Sequence, residues 1–255
     1  MINVTINNAR VAKGFGENPA VYTNEAGTLM SFRVSWKKGD EWENLSVRVI
    51  NPALVERCKK MEVKEGTFLT LFGELDFQTF TAKDGTKQKS PYLLLRDLAF
   101  ARGIPTSAIV VATGIGGHIS AGYEDRPAIF KNEKGNMAAF KVGYPVYDKN
   151  AENNTRWENI DVKMIGDFAK VADSLKLDAK AVIDFSGEFG FDKFEKDGKT
   201  YHRPVITLDR IARVNSAKKD DTGAPAAKET AAPATPVAAP SGFAGTEDYP
   251  DDLPF

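Results

Sequence analysis

The chain has 255 residues, 42% hydrophobic and 27% charged, with a formal net charge of −1, and is long enough for two modest domains that each bury a core. Its single cysteine, Cys58, excludes an internal disulfide framework and a cysteine-rich zinc site, and fits a reducing compartment. No apolar run approaches the ~18 residues of a membrane span, and Met1-Ile2-Asn3-Val4 does not open a signal peptide, so a cytoplasmic location is expected.

The charge is unevenly spread. Residues 1–215 carry 31 Lys and Arg against 28 Asp and Glu, a net of +3, while residues 216–255 carry 3 against 7, a net of −4. So weakly basic a body does not by itself name nucleic acid as a partner; that case depends on where the cations sit.

In chain order, extended segments are predicted to about Trp36. Phe32, Val34 and Trp36 share one parity and Arg33 takes the other, so Trp36 is expected in a core. The stretch Trp42-Glu43-Asn44-Leu45-Ser46-Val47-Arg48-Val49 reads as a strand with Leu45, Val47 and Val49 on one face, and Trp42 and Arg48 on the other. Asn51 then precedes Pro52, an N-cap before a proline at the first helical position, and predicts a short helix over Ala53 to Met61. Thr67 to Phe80 and Pro91 to Ala99 read as strands joined through Asp84-Gly85, a dipeptide suited to a hairpin.

The chain then repeats itself. Pro19 to Gly27 is echoed by Pro127 to Gly135 at an offset of 108, and Phe32-Arg33-Val34 by Phe140-Lys141-Val142. The tryptophan strand returns as Trp157-Glu158-Asn159-Ile160-Asp161-Val162-Lys163-Met164, 115 residues on, which leaves seven extra residues in the preceding loop. Gly73-Glu74 matches Gly187-Glu188, Lys83-Asp84-Gly85 matches Lys196-Asp197-Gly198, and Pro91 matches Pro204. In the second copy Asp167 is expected to cap a helix whose face is Phe168, Val171 and Leu175, before strands over Val182 to Phe194 and Val205 to Ala212. Three strands, a short helix and two more strands make an OB barrel. The expected class is all-β with short helices, as two tandem OB-fold barrels over residues 1–105 and 106–215. A flexible Ala/Pro-rich linker over 216–246 and an acidic tip over 247–255 would form a disordered C-terminal tail.

A double barrel, a Pro- and Ala-rich tail and a terminal Asp251-Asp252-Leu253-Pro254-Phe255 resemble the bacterial and phage single-stranded DNA-binding proteins, in particular the branch with two OB folds per chain. In that family the tip is a run of aspartates before Ile-Pro-Phe that docks replication and repair enzymes, and this chain differs by one aliphatic exchange. Gly73-Glu74-Leu75, with Phe80 ahead of Lys83-Asp84-Gly85, is similar to the family's strand whose base-stacking aromatic precedes a charged turn; Phe194 takes the corresponding place in the second copy. The resemblance implies sequence-nonspecific binding of single-stranded DNA in replication, recombination and repair. It also implies a homodimer with four OB folds, recruitment of partners through Asp251 to Phe255, and neither catalysis nor a cofactor.

Strand binding of this kind needs rings for bases and cations for phosphates. The rings on polar faces are Trp42, Trp157, Phe80 and Phe194. For the tryptophans the alternative is a lid over a barrel end, and for the phenylalanines packing at a sheet edge. Phe77 and Phe191 fall on apolar faces and are expected in the core. The cations are Arg33, Arg48, Lys141 and Lys163 on the strands, with Lys83, Lys87, Lys89, Lys193, Lys196, Lys199 and Arg203 on the hairpins, where a solvated hairpin tip is the competing reading.

The rest of the inventory speaks against catalysis. His118 and His202 have no metal-ligand spacing and read as surface residues, and no phosphate-cradling Gly-rich loop with its lysine is present. Gly114-Ile115-Gly116-Gly117 is expected to mark a barrel bend, and Cys58 to be a small helix residue. Two rivals remain at the level of sequence: an adaptor whose barrels hold other replication proteins, and an RNA-binding or annealing protein on the same fold.

Overall fold

Alternation decides where the strands lie and which side they bury. In β1 (Ile2–Val11) Ile2, Val4 and Ile6 are buried while Asn3, Thr5 and Asn7 are not, the period of two that a half-buried strand requires. The computed structural model describes residues 1–81, 85, 87–101, 108–122, 126–148, 151, 153–196 and 198–214, with the backbone alone of Lys87, Lys196 and Lys199. After β1 come β2 (Val21–Thr23), β3 (Met30–Lys38), β4 (Glu41–Val49), α1 (Pro52–Lys60), β5 (Phe68–Thr81) and β6 (Lys87–Phe100). The second copy runs through β7 (Ile109–Ile119), β8 (Ile129–Lys131), β9 (Met137–Tyr147), β10 (Thr155–Ile165), a 3₁₀ turn (Gly166–Lys170), α2 (Val171–Ser174), β11 (Val182–Lys196) and β12 (Lys199–Arg213).

Each copy closes on itself. In the first, β1 pairs with β5, β5 with β6, β6 in parallel with β4, β4 with β3, and β3 returns to β1 at Arg10 opposite Ser35 and Val11 opposite Val34. In the second, β7, β11, β12, β10 and β9 follow the same order and close at His118 opposite Gly143. Five strands closed in this order form an OB barrel, and the described residues form two. Between them β1 and β7 run antiparallel from Ile2 opposite Gly114 to Asn7 opposite Ile109, so that all twelve strands form one sheet. Residues Met1–Asn215 form one compact unit.

One strand can serve both its own barrel and the other only by bending. β1 shifts register between Ile6 and Ala9, where Asn8 takes the left-handed conformation at φ 61°. The matching residue of the second copy, 108 positions on, is Gly116 at φ 65°, which also lies at a register shift. Asn and Gly are the residues that adopt this conformation most readily, and the bend expected at the glycine cluster is therefore present in both copies. The repeated Gly73 and Gly187 have a different cause. A Cβ there would stand 2.4 Å from the Leu94 carbonyl oxygen and 2.2 Å from that of Thr207, each at a bulge where neighbouring strands close in.

The first helix is capped as its sequence predicts: the Ala53 N–H donates to Asn51 Oδ1 at 3.0 Å, Pro52 takes the first position, and Leu54, Val55 and Cys58 are buried. The second departs from expectation. Asp167 does not cap it; the segment opens as a 3₁₀ turn after Ile165, and the Asp167 carboxylate accepts from Lys170 Nζ at 2.7 Å. The extended cap position falls on Ile165, whose side chain has no acceptor, and Asp167 lies inside the turn. The hairpin strands also reach further into their loops than expected, β6 beginning at Lys87, β11 ending at Lys196 and β12 beginning at Lys199.

Cys58 is fully buried, and burial pushes its thiol up to about 11 from 9.0. Below pH 9 both folded and unfolded chains hold this proton. Between about 9 and 11 only the unfolded chain releases it, so this group's contribution to stability is lost across that window. The native protein is expected to leave Cys58 unlabelled by an aromatic disulfide reagent at pH 8, with one thiol per chain reacting in denaturant; labelling of the native chain at the rate of a free thiol would contradict the burial.

Candidate nucleic-acid interface

On β3 and β4 the apolar residues Phe32, Val34, Trp36, Leu45, Val47 and Val49 point inward, which turns Arg33, Trp42, Asn44, Ser46 and Arg48 outward. Trp42 is 57% exposed and Trp157 55%, so neither indole is a lid inside its barrel. Trp36 is buried, and its indole N–H donates to Glu43 Oε2 at 2.9 Å. Phe77 is buried as its parity predicts, and Phe191 is partly buried against Phe189.

The parallel pairing of β4 with β6 brings a further ring to this face. Arg33 lies opposite Ser46, Ser46 opposite Tyr92, and Tyr92 opposite Asp76. The Arg48 guanidinium rests 4.4 Å above the Tyr92 ring and donates to the Gln78 amide oxygen. Tyr92 in turn donates to Asp76 Oδ2 at 2.5 Å. Burial first, and then the Asp76 carboxylate, hold its hydroxyl well above the usual phenol range. Tyr92 escaped the sequence reading because its neighbour across the parallel pair is set by barrel closure. Its outward parity beside Leu93 was the available signal.

Phe80 is 42% exposed and lies opposite Gln88; Phe194 is 43% exposed and lies opposite Tyr201. Phe194 and Tyr201 stack, with ring centroids 5.3 Å apart and planes 17° from parallel, and the Arg203 guanidinium stands 5.8 Å from the Phe194 ring. Counting across the Asp197-Gly198 hairpin would have found Tyr201. Both histidines are exposed, and each accompanies a tryptophan. His118 meets Trp157 edge-on at 5.3 Å, and His202 lines a cleft of about 180 Å³ with Trp42, Glu43, Asn44, Phe191 and Lys193.

The expected cations have different fates. Arg33 is exposed and donates to the Lys13 carbonyl at 3.4 Å. Lys141 lies 3.5 Å and Arg203 3.4 Å from Asp161, while Lys163 donates to Asp192 at 2.5 Å. Lys89 reaches across to the second copy and donates to the buried Glu158 at 2.9 and 3.2 Å. Lys193 reaches the other way to Glu41 at 2.6 Å. Lys83 lies outside the described residues, as do Asp251, Asp252, Leu253, Pro254 and Phe255; the side chains of Lys87, Lys196 and Lys199 are not described. Among the described residues, no group of three or more His, Cys, Asp or Glu is placed to hold a metal ion, and no helix is long and apolar enough to cross a membrane.

Polar struts hold the two copies against each other. Glu43 accepts from the Phe191 N–H at 3.1 Å as well as from Trp36, and Lys38 pairs with Glu188 at 2.8 Å. On the far side Arg156 donates to Asp76 Oδ1 at 2.5 Å and to Glu158. Burial opposes the charge on Arg156, but Asp76 and Glu158 outweigh it and raise its pKa. Removing Arg156 would leave the Asp76 carboxylate, 9% exposed, without a cation, and Glu158, 4% exposed, with Lys89 alone. Arg156→Met is therefore expected to cost about 3 kcal/mol in urea denaturation; an unchanged midpoint would show that the strut carries no stability.

No protein-family model matches the chain, and no curated protein matches it. Among solved structures, the wild-type single-stranded DNA-binding protein from Thermus aquaticus superposes with a TM-score of 0.57 over 88% of this chain and 97% of its own, at 14% identity. A deletion mutant of the same protein gives a TM-score of 0.56 over 87% and 98%, also at 14% identity. At that identity the likeness is one of architecture, and it spans both barrels: this chain shares its fold with the Thermus aquaticus single-stranded DNA-binding protein.

Proposed function

We propose that the chain binds single-stranded DNA without sequence preference and protects it during replication, recombination and repair. The observation that carries this reading is the outer face shared by β3, β4 and β6, where exposed Trp42 stands with Arg33, Arg48 and Tyr92 on an OB barrel, and Trp157 recurs with Lys141 and Lys163 in the second copy. Rings of this kind accept any base, and cations beside them accept the backbone. The fold shared with the Thermus aquaticus protein supports the same assignment. Trp42, Trp157, Phe80 and Phe194 are the proposed stacking residues. Arg33, Arg48, Lys141, Lys163 and Arg203 are the proposed phosphate partners on the strands, and Lys83, Lys87, Lys89 and Lys196 those of the hairpins.

In this reading the protein is cytoplasmic and not an enzyme. Residues 1–105 and 106–215 are its two binding domains, 216–246 a tether and 247–255 a tip through which Asp251 to Phe255 recruit partner enzymes. A homodimer would place four barrels on one strand and raise the effective concentration of each. The outward Phe72, Val111 and Ile109 of the central strands offer an apolar surface for it.

Titration with oligo-dT at two salt concentrations is expected to quench tryptophan fluorescence with an affinity that falls as salt rises. Trp42→Ala and Trp157→Ala should each weaken binding by about 1–3 kcal/mol. An unresponsive chain would favour the adaptor reading, and tighter binding of oligo-U the RNA reading. The acidic tip can also visit the cationic face when no strand is bound, so deletion of residues 247–255 is expected to raise affinity at low salt; unchanged affinity there would remove the autoinhibitory role.

A further inference from the structure

The two copies differ where the proposed face meets phosphate. Asp161 of the second copy occupies the place of Ser46 in the first, 115 residues earlier, and Asp192 the place of Gln78, 114 residues earlier. Asp161 stands opposite Lys141 in the β9–β10 ladder, 3.5 Å from its ammonium, and 3.4 Å from Arg203. Asp192 stands opposite Arg203 in the β11–β12 ladder and accepts from Lys163 at 2.5 Å. Lys141, Lys163 and Arg203 thus each have a carboxylate of their own barrel within ion-pair distance. The first copy carries an uncharged hydroxyl and an uncharged amide at the same two places. Its outward acids are engaged elsewhere, Asp76 by Tyr92 and by Arg156 of the second copy, and Glu74 by Arg96 at 2.9 Å.

We propose that Asp161 and Asp192 make the second barrel the weaker of the two strand-binding surfaces, so that a strand engages the first barrel before the second. The inference rests on the single-strand-binding reading above. A phosphate arriving at Lys141, Lys163 or Arg203 competes with a carboxylate already in place. A cation already neutralised in this way also displaces fewer counterions from the strand, so its contact contributes less to affinity and to salt dependence.

The test uses the full chain and oligo-dT long enough to span both barrels, at several salt concentrations. The double variant Asp161→Asn/Asp192→Asn is expected to bind about 3- to 150-fold more tightly at low salt, the range for releasing three partly exposed ion pairs, with a steeper salt slope. Ser46→Asp/Gln78→Glu should do the reverse. Asp178→Asn, which removes an exposed acid paired with Arg213 outside the proposed face, controls for overall charge and should leave affinity within about twofold. Unchanged or weaker binding by the first variant, with an unaltered urea midpoint, would overturn the proposal and make the two acids positioning groups. An equal gain from Asp178→Asn would overturn it as well. Failure of the parent chain to bind any oligonucleotide would instead refute the function on which it rests.

Discussion

The antiparallel pairing of β1 with β7 is the constraint from which the rest of the described architecture follows. A closed barrel has no free edge, yet here the first strand of each barrel, while still paired with β5 or β11 of its own barrel, gives its other edge for six residues to its counterpart, Ile2 through Asn7 against Gly114 through Ile109. The left-handed residues Asn8 and Gly116 make this possible, because each lets its strand turn from the shared ladder back to barrel closure. With the ladder formed, neither barrel can rotate against the other without breaking main-chain hydrogen bonds. The hairpin of β3 and β4 is thereby held against β11, and that of β9 and β10 against β5 and β6.

That fixed geometry explains how the charged residues are shared out. A carboxylate as buried as Glu158 or Asp76 is costly unless it is paired and hydrogen-bonded, and the cations that meet this demand, Lys89 and Arg156, come from the opposite copy. Lys89, expected among the hairpin cations, is engaged as a strut, so a phosphate there must compete with Glu158. Glu43 acts in the same way with neutral donors, accepting from Trp36 of its own barrel and from the Phe191 backbone of the other. The seam left beside it is the cleft at which Trp42 of the first copy faces His202 and Phe191 of the second, so the outer faces of the two barrels meet at an aromatic border.

Much of the fold was legible in the sequence because its signals are local. Alternation within eight residues separated the inward Leu45, Val47 and Val49 from the outward Trp42 and Arg48, and the same rule buried Trp36 and Phe77. The Asn51-Pro52 pair announced its helix, while Asp167 misled because a 3₁₀ entry through Gly166 gave the carboxylate to Lys170 instead of the backbone. The duplication gave the order of strands twice, and the closure that makes them OB barrels followed from that order.

What the amino-acid sequence determined alone was therefore the tryptophan and hairpin strands, the face their side chains take, and the presence of two copies, since period and propensity act between near neighbours. Tertiary structure decided which outward residues meet. The parallel contact of β4 with β6 slides Tyr92 beneath Arg48, barrel closure sets Arg203 beside Asp161, and the β1–β7 ladder carries Lys89 and Arg156 into the neighbouring copy. Such pairings join residues 42 to 80 positions apart, and their partners depend on register and closure, long-range quantities that no local pattern encodes.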